Sequence, residues 1–345
     1  MVTGIDLLQT VAYLVLAGFS LCICVWAVPI GRALRVLDSP DGQRKIHKQK
    51  TPLVGGIAIL VPVLIGATIS AFATPFGPLY GVLSAAVLAF LLLGFLDDRT
   101  HIRPALRLAV SVVFVVAILL TVPGYTVTFL KFSFLPGPIF LGGWAAIGFT
   151  TLCLVGLQNA VNMADGKNGL VMGMSLIWVV LLMGYAPQHV LPLLALFAAG
   201  LGIALAFNLQ GKLFLGDSGS YGLSIGIGLL TIYSYNVGFP FFTAGKAALL
   251  FFIPVIDVVR LMVVRSFHGE SPFRSDRNHL HHYLLGLLPW HWALIVYLAL
   301  VGVPSVMALA APSLTHFWAL AGLAAYGIVL GLRYRASAKL PVASH

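Results

Sequence analysis

The segment AVLAFLLLGFLDD, residues 86–98, places two adjacent carboxylates directly after a long apolar run. With the apolar residues that precede it from position 77, the run approaches the roughly 20 residues that a helix needs to cross a bilayer. Ionised groups are costly within lipid, and those retained there usually serve function. The segment therefore predicts a membrane-spanning helix whose end carries a candidate site at Asp97 and Asp98.

The whole chain has the composition of a membrane protein. It contains 345 residues, of which 60% are hydrophobic and 9% charged, and its mean hydropathy is +1.01. Apolar runs this long and numerous exceed what a soluble core requires. We predict an all-α polytopic membrane protein of about eleven transmembrane helices. The predicted spans are residues 7–30, 53–72, 77–96, 105–122, 141–159, 169–185, 187–207, 219–236, 244–264, 290–310 and 314–332.

The distribution of basic residues predicts the orientation of the chain. All of the 20 lysines and arginines except Lys131 and Lys246 lie in or within about a turn of alternate loops, and cytoplasmic loops carry such an excess. We therefore expect the N-terminus outside, the C-terminus in the cytoplasm, and one membrane domain over 1–345 in a bacterial inner membrane. The expected cytoplasmic active-site loops are 31–52, 97–104, 160–168, 208–218 and 265–289.

The net charge of +10 is explained by attraction of the inner loops to anionic membrane lipid. Nucleic-acid binding is not favoured, since no separate basic soluble domain is visible. Residues 123–140 contain several prolines and glycines and predict a turn-rich or hairpin segment.

Nine of the ten carboxylates fall on the predicted inner side, and Asp6 alone lies outside the set. Such clustering beside most of the basic residues indicates a site for a multiply anionic substrate held with a divalent cation. The nine are Asp38, Asp41, Asp97, Asp98, Asp165, Asp217, Asp257, Glu270 and Asp276.

Residues 38–56, DSPDGQRKIHKQKTPLVGG, join a basic loop to a glycine pair that begins a predicted helix. Free N–H groups at such a helix start bind anions. Contact between the basic loop and lipid phosphates is an equal alternative. The candidate binding residues in this loop are Arg44, Lys45, His47 and Lys48.

The adjacent carboxylates Asp97 and Asp98 repel one another, so one of them should have a raised pKa unless a cation neutralises the pair. A raised carboxyl group can act as a general base, and an ionised pair can bind Mg²⁺. The alternative is an acidic helix end paired with Arg99 or Arg103.

Residues 159–170, NAVNMADGKNGL, bring amides and a carboxylate together at a membrane boundary. Asn159 and Asn162 are three residues apart and would share a helix face near Asp165. This arrangement suits a nucleotide base and sugar, and a purely structural polar turn is the alternative.

Residues 207–220, FNLQGKLFLGDSGS, hold Asp217 in a glycine-rich turn. A carboxylate there can reach a metal ion that also binds substrate phosphates, or it can simply cap the helix that follows. Phe214 could stack on a base or anchor at the membrane interface.

Residues 254–285 end in a histidine-rich loop that also carries arginines. No cysteine is near and the arginines repel cations, so phosphate binding is favoured over zinc. Asp257 precedes Arg260 by three residues, and we expect an intrahelical ion pair. The candidate binding residues of the loop are Arg274, Arg277, His279, His281 and His282.

In this order, the five segments resemble the polyprenyl-phosphate N-acetylhexosamine-1-phosphate transferase family, glycosyltransferase family 4. The stretch SPFRSDRNHLHH is more similar to the branch that initiates O-antigen, enterobacterial common antigen or teichoic-acid linkage synthesis. The resemblance implies transfer of a sugar 1-phosphate from a UDP-N-acetylated sugar to undecaprenyl phosphate, with UMP as the second product and Mg²⁺ or Mn²⁺ required. This would be the first membrane step of a cell-surface polysaccharide.

The resemblance also implies roles for single residues. Asp97 and Asp98 match the paired aspartates implicated in activating the lipid phosphate, and Asp217 matches the metal-binding aspartate. Asp165 matches a nucleotide-sugar contact and is a second candidate metal ligand. Asn162 matches a nucleotide-sugar contact, Phe214 an aromatic that stacks on uracil, and His279, His281 and His282 the histidine loop, while Lys48 matches a basic-loop lysine loosely. With the candidates taken from the segments themselves, the predicted substrate-binding residues are Arg44, Lys45, His47, Lys48, Asn159, Asn162, Asn168, Asn208, Phe214, Arg274, Arg277, His279, His281 and His282.

One position departs from the family pattern, since Asn168 replaces the second aspartate of D-G-x-D-G-L. An amide there keeps an acceptor and loses the charge. Two alternatives remain open: a phospho-MurNAc-pentapeptide transferase, and a transporter of lipid-linked sugars. The nearly charge-free helix centres argue against the transporter. A homodimer also stays open.

Overall fold

A computed structural model of the protein describes residues 7–38, 50–271 and 278–338. Within these ranges the chain is mostly helical, which confirms the prediction of an all-α membrane protein. The α-helices of the described ranges are Leu7–Val25 (α1), Ala27–Ala33 (α2), Gly55–Ala73 (α3), Gly77–Thr100 (α4), Pro104–Thr121 (α5), Gly143–Ala164 (α6), Leu170–Met183 (α7), Leu191–Leu209 (α8), Gly216–Gly238 (α9), Ala244–Leu250 (α10), Phe252–Phe267 (α11), Leu280–Leu285 (α12), Trp290–Ala310 (α13) and Thr315–Ala338 (α14).

Four two-residue strands form two short antiparallel ladders. Leu37–Asp38 (β1) pairs with Thr51–Pro52 (β2), and Phe129–Leu130 (β3) pairs with Ile139–Phe140 (β4). The second ladder confirms the hairpin that the prolines and glycines of 123–140 predict.

Seven helices of the described chain are long and apolar enough to cross a membrane, and two bent pairs, α1 with α2 and α10 with α11, raise the number to nine. Two further spans predicted from the sequence, 169–185 and 219–236, coincide with α7 and α9, which are not among these nine. Helix α7 has only 14 residues, or about 21 Å at 1.5 Å per residue. Helix α9 is rich in glycine, serine and tyrosine, which lowers its hydropathy. The count of eleven and the orientation of the termini stay predictions.

The chain forms two compact units. The first comprises Met1–Leu130 and Ile139–Phe242, and the second comprises Lys131–Pro138 and Thr243–His345. In the first unit, α9 packs against α3, α4, α6 and α7, and most of its residues are buried. An enclosed helix does not meet lipid, which explains why α9 can carry so many polar and small residues.

Glycines allow the start of α9 to approach its neighbours at backbone distance. A Cβ atom on Gly94 of α4 would overlap the backbone carbonyl of Asp217, and one on Gly56 of α3 would overlap the backbone of Gly219. Gly216, which opens α9, has a φ of +76°, a conformation that glycine adopts without strain. These contacts bring the ends of three helices together around Asp217.

In the second unit, α13 packs against α10, α11, α12 and α14. The short helix α12 also contacts α14, so the histidine-rich segment 279–282 lies on a helical framework.

The close contact between Gly94 of α4 and the backbone of Asp217 predicts how a substitution at Gly94 changes stability. Gly94→Ala should destabilise the protein by about 1–3 kcal/mol, the usual cost of overpacking, because the new methyl group meets backbone that cannot rotate away. Thermal unfolding of the purified protein in detergent measures this effect.

Gly81→Ala is the matched control, since it lies on the same helix and a Cβ there meets nothing within 4 Å. An unfolding temperature of Gly94→Ala equal to that of Gly81→Ala would contradict the close approach of α4 and α9.

Candidate active site

Asp98 caps the first turn of α9 from the end of α4. Its Oδ1 accepts a hydrogen bond from the backbone N–H of Asp217 at 2.8 Å, and its Oδ2 accepts one from the N–H of Ser218 at 3.0 Å. The first N–H groups of a helix have no partner within the helix, and a carboxylate there also interacts favourably with the helix dipole. The alternative in which Asp217 caps its own helix is therefore wrong, because Asp98 supplies the cap.

Asp97 is buried and fully engaged. Its Oδ2 accepts hydrogen bonds from Arg107 Nη1 at 3.0 Å and from the Tyr221 hydroxyl at 2.6 Å, while Oδ1 accepts one from the N–H of Ile102 at 2.8 Å. Arg107 neutralises the charge of the carboxylate. The ion-pair partner of Asp97 is thus Arg107 on α5, rather than Arg99 or Arg103.

Asp217 lies in the first turn of α9, and one oxygen of its carboxylate is hydrogen-bonded to α6. Its Oδ1 accepts a hydrogen bond from Asn162 Nδ2 at 2.6 Å, and the same amide group donates to Ser220 Oγ at 3.2 Å. Among the described residues, its Oδ2 has no hydrogen-bond partner. One carboxylate oxygen of Asp217 is therefore available to a ligand.

Asp165 follows the last residue of α6, and its carboxylate has no hydrogen bond or ion pair with any residue that the structure describes. Desolvation by surrounding protein, and then the charges of Asp217 and Asp98, raise the pKa of this carboxyl group to about 8. Its side chain is nevertheless solvent-exposed, so water screens part of the repulsion between these carboxylates. Asp165 and Asp217 therefore repel one another, and neither has an ion-pair partner among the described residues.

The donor chemistry of Asp165 and Asp217 fits a magnesium ion. No group of three histidine, cysteine or acidic side chains in the described parts of the chain forms a metal cage. Mg²⁺ commonly keeps several waters and takes one or two carboxylates together with substrate phosphates. Two mutually repelling carboxylates with available oxygens meet that requirement, and a complete protein cage is not needed.

Asn208 and Phe214 help to build the loops around these carboxylates. The Asn208 side chain accepts a hydrogen bond from the N–H of Gly169 at 2.6 Å and donates one to the carbonyl of Leu213 at 2.9 Å. The backbone of Phe214 bonds to Pro52 and Gly55. Asn208 therefore ties the loop before α7 to the loop before α9, while its role in substrate binding stays a prediction.

Other predicted site residues fall into three groups. Asn159 donates to the carbonyl of Val155 within α6 at 2.8 Å, and Asn168 lies in the loop before α7. The second group lies outside the described residues: Arg44, Lys45, His47, Lys48, Arg274 and Arg277. The third group belongs to the second unit: His279, His281 and His282.

Sequence reasoning missed Arg107 and Tyr221. Arg107 stands on an apolar helix three residues after its start, where an arginine reads as an interfacial anchor. Tyr221 follows Asp217 by four residues, a helical spacing that places both on one face. The four-residue spacing could have revealed Tyr221 from the sequence. The pairing of Arg107 with Asp97 could not be found in this way, because it depends on the packing of α4 against α5.

These features define a multi-pass membrane protein with a carboxylate-rich site at the meeting ends of α4, α6 and α9. A model of glycosyl transferase family 4 matches residues 80–235, the part of the chain that contains the site. The chain belongs to this family, as the resemblance of the five segments indicates.

Curated relatives extend the match to most of the chain. A probable undecaprenyl-phosphate N-acetylglucosaminyl 1-phosphate transferase of Bacillus subtilis is 28% identical over 282 residues, covering 80% of this chain and 76% of that protein. The undecaprenyl-phosphate alpha-N-acetylglucosaminyl 1-phosphate transferase of Escherichia coli K12 is 30% identical over 293 residues, with coverage of 77% and 74%. A Salmonella typhi protein of the same name is 31% identical over 269 residues, with coverage of 75% and 70%.

Loss of the Asp97 ion pair should destabilise the protein. Arg107→Ala leaves a buried carboxylate without its cation, and we expect a loss of about 3 kcal/mol of stability, since breaking a buried pair typically costs that much. Thermal unfolding in detergent provides the measurement. Arg103→Ala removes an exposed arginine from the same α4–α5 connection and should change the unfolding temperature little; equal effects of both changes would contradict the assigned pairing.

The raised pKa of Asp165 predicts how stability changes with pH. Between its ordinary pKa and about 8, the folded state binds more protons at this group than the unfolded state, so stability falls as pH rises through that window. In EDTA, the unfolding temperature of the wild type should therefore fall relative to that of Asp165→Asn between about pH 5 and about pH 8. Parallel curves for the two proteins would show that Asp165 experiences no net repulsion.

Proposed function

We propose that the protein transfers an N-acetylhexosamine 1-phosphate from a UDP-sugar to undecaprenyl phosphate, giving undecaprenyl-diphosphate-sugar and UMP. The names of the curated relatives support this acceptor and this type of transferred group. N-acetylglucosamine is the sugar those names point to.

The observation that carries the proposal is the pair of available carboxylates beside a capped helix start. Asp217 and Asp165 interact electrostatically, and neither has an ion-pair partner among the described residues. The reactants are both multiply anionic, so a site for them needs positive charge. Carboxylates with available oxygens at such a site are explained if they bind a divalent cation, because the cation supplies the positive charge.

We assign Asp217 and Asp165 to hold Mg²⁺ or Mn²⁺. When bound, the ion supplies electrostatic neutralisation of the diphosphate, which protein dipoles alone would not provide. Asn162 orients Asp217 through its 2.6 Å hydrogen bond and thereby fixes which carboxylate oxygen remains available.

The proposed reaction is a direct displacement. An oxygen of the lipid phosphate attacks the sugar-bearing phosphorus of the UDP-sugar, and the bond from that phosphorus to the bridging oxygen breaks. UMP leaves with the bonding electron pair. Because a phosphate monoester loses its second proton near pH 6, most acceptor molecules at neutral pH are already dianionic and need no strong base.

Asp97 and Asp98 fit a positioning role in this scheme. Proton removal by either carboxylate, the role that the family resemblance implies, would require it to give up hydrogen bonds seen here. As positioned, Asp98 holds the start of α9 and Asp97 holds Arg107. In this scheme Asp97 and Asp98 affect the reaction indirectly, because they set the position of Asp217.

We place the reaction at the cytoplasmic face of the bacterial inner membrane, where a UDP-sugar arrives from water and the isoprenoid from the bilayer. The excess of lysine and arginine in the predicted inner loops supports this side. The histidines at 279, 281 and 282 are proposed to bind the phosphates of the substrate. In this scheme the product begins the synthesis of a cell-surface polysaccharide such as O-antigen.

The direct test is an assay of the purified protein with radiolabelled UDP-N-acetylglucosamine and undecaprenyl phosphate. Labelled lipid and UMP should appear in equal amounts, and EDTA should stop the reaction until Mg²⁺ or Mn²⁺ is restored. A parallel reaction with UDP-MurNAc-pentapeptide decides between this donor and the peptidoglycan alternative. Absence of product with every UDP-sugar would overturn the proposal.

Asp217→Asn should reduce transfer by about 100-fold or more, because an electrostatic group of this kind contributes about 3 kcal/mol to the transition state. The substitution keeps the size of the side chain and removes its charge. Asp6→Asn is the matched control, as it makes the same chemical change at the carboxylate predicted on the opposite side of the membrane. UMP release that is unchanged in Asp217→Asn would exclude Asp217 from the chemistry.

A further inference from the structure

The second unit contains a buried polar cluster that the proposed reaction does not yet use. We call it the Asp257 cluster: Asp257 and Arg260 of α11, His279 beside α12, and Tyr326 of α14. Asp257 is 4% exposed, so its charge has to be balanced by protein groups.

The two oxygens of Asp257 have different side-chain partners and share one backbone N–H, that of Leu280. Oδ1 accepts hydrogen bonds from Arg260 Nη2 at 3.0 Å and from the Tyr326 hydroxyl at 2.9 Å. The first of these confirms the ion pair that the sequence predicts. Oδ2 contacts His279 Nδ1 at 3.0 Å, and the N–H of Leu280 bonds to the same oxygen at 3.1 Å.

Arg260 further holds the carboxylate and the histidine segment in place. Its Nε donates to the Tyr326 hydroxyl at 2.7 Å, and its Nη2 also donates to the carbonyl of Asn278 at 2.5 Å. The guanidinium lies 5.4 Å from the centre of the Tyr283 ring. Residues on both sides of His279 are therefore fixed to α11.

This arrangement decides which ring nitrogen of His279 carries hydrogen. A carboxylate paired with an arginine is ionised and only accepts hydrogen bonds, so Nδ1 of His279 must be the donor. The hydrogen bond made by one imidazole nitrogen sets the state of the other. Nε2 has no hydrogen-bond partner among the described residues, which leaves it as the nitrogen that can contact a ligand.

Neutralisation of charge alone does not explain the contact with His279. Arg260 already balances Asp257, and Leu280 would suffice as a helix-start partner for Oδ2. The additional bond fixes the plane of an imidazole that begins the sequence His279-Leu280-His281-His282. A buried carboxylate fixes the ring of metal-binding histidines and of the catalytic histidine in Ser-His-Asp triads in the same way.

We infer that Asp257 is a positioning residue for His279, and that it leaves Nε2 of this histidine to bind a phosphate group. The inference rests on the proposed function for the identity of the ligand. The assigned hydrogen on Nδ1 of His279 follows from the cluster alone.

Kinetics with a double-mutant cycle test the positioning role. Asp257→Asn should lower kcat/KM for the UDP-sugar by about 10- to 100-fold, the loss typical when the hydrogen-bond partner of a metal-binding histidine is removed. His279→Gln should have an effect of similar size. The double variant should be no worse than His279→Gln alone, since residues that act as one unit are not additive.

Tyr326→Phe is the matched control. It removes a hydrogen bond from the same carboxylate, at Oδ1, and leaves the contact between Oδ2 and His279 intact. A structural role alone predicts that Tyr326→Phe and Asp257→Asn impair the protein in parallel. The positioning role predicts that kcat/KM of Tyr326→Phe changes by less than about threefold, as expected for a variant that leaves the acting unit intact.

A readout independent of activity is the protonation of His279 itself. In protein labelled with ¹⁵N-histidine, the signal that disappears in His279→Gln should show hydrogen on Nδ1, and Asp257→Asn should change it. A transferase-inactive wild type with this signature would refute the proposed function and leave the His279 assignment standing.

Two results would overturn the inference in an active wild type. One is an Asp257→Asn variant with unchanged kcat/KM and an unchanged His279 signal. The other is a double variant whose loss of kcat/KM equals the product of the two single losses, which would show that the residues act separately.

Discussion

The capping of α9 by Asp98 is the interaction on which the candidate site depends. Helix α9 is enclosed by other helices of the first unit, so its first N–H groups cannot all turn to water. A carboxylate from α4 satisfies two of them, and glycines let the two backbones come close enough for it to do so. The cap joins the end of one helix to the start of another, and Asp217 lies at that junction.

The four carboxylates of the candidate site, Asp97, Asp98, Asp165 and Asp217, then divide into two pairs. Asp97 and Asp98 are satisfied by protein: one by an arginine and a tyrosine, the other by backbone N–H groups. Asp217 and Asp165 keep oxygens without protein partners among the described residues. This division is a physical reason to assign construction of the site to the first pair and ligand contact to the second, although all four have the same side chain.

In the second unit, a buried carboxylate likewise holds a neighbouring group in place, and that group is a histidine. Asp257 is neutralised by Arg260 and still uses its second oxygen to hold an imidazole ring. In both units a buried acidic group is balanced first and then fixes a neighbouring group in one orientation. Such arrangements are costly near a membrane, because charges there must be paired or hydrogen-bonded, which indicates that the orientation has a use.

Much of this protein was readable from the sequence. Apolar run lengths determined that the chain is a helical membrane protein, prolines and glycines between 123 and 140 marked the hairpin, and the order of five polar segments identified the family. The spacing of Asp257 and Arg260 also revealed their ion pair, since residues three apart on a helix are neighbours. These are local properties, and local patterns in a sequence report them.

Only the tertiary structure decided the partners of the carboxylates. Asp97 and Asp98 are adjacent in sequence, yet one meets Arg107 on α5 and the other the start of α9, more than a hundred residues away. Which helices lie side by side depends on how glycine surfaces and buried side chains pack, and no periodicity in one segment encodes its neighbour. For that reason the sequence located the acidic groups, while the packing of α4, α5, α6 and α9 determined which of them remain available to a ligand.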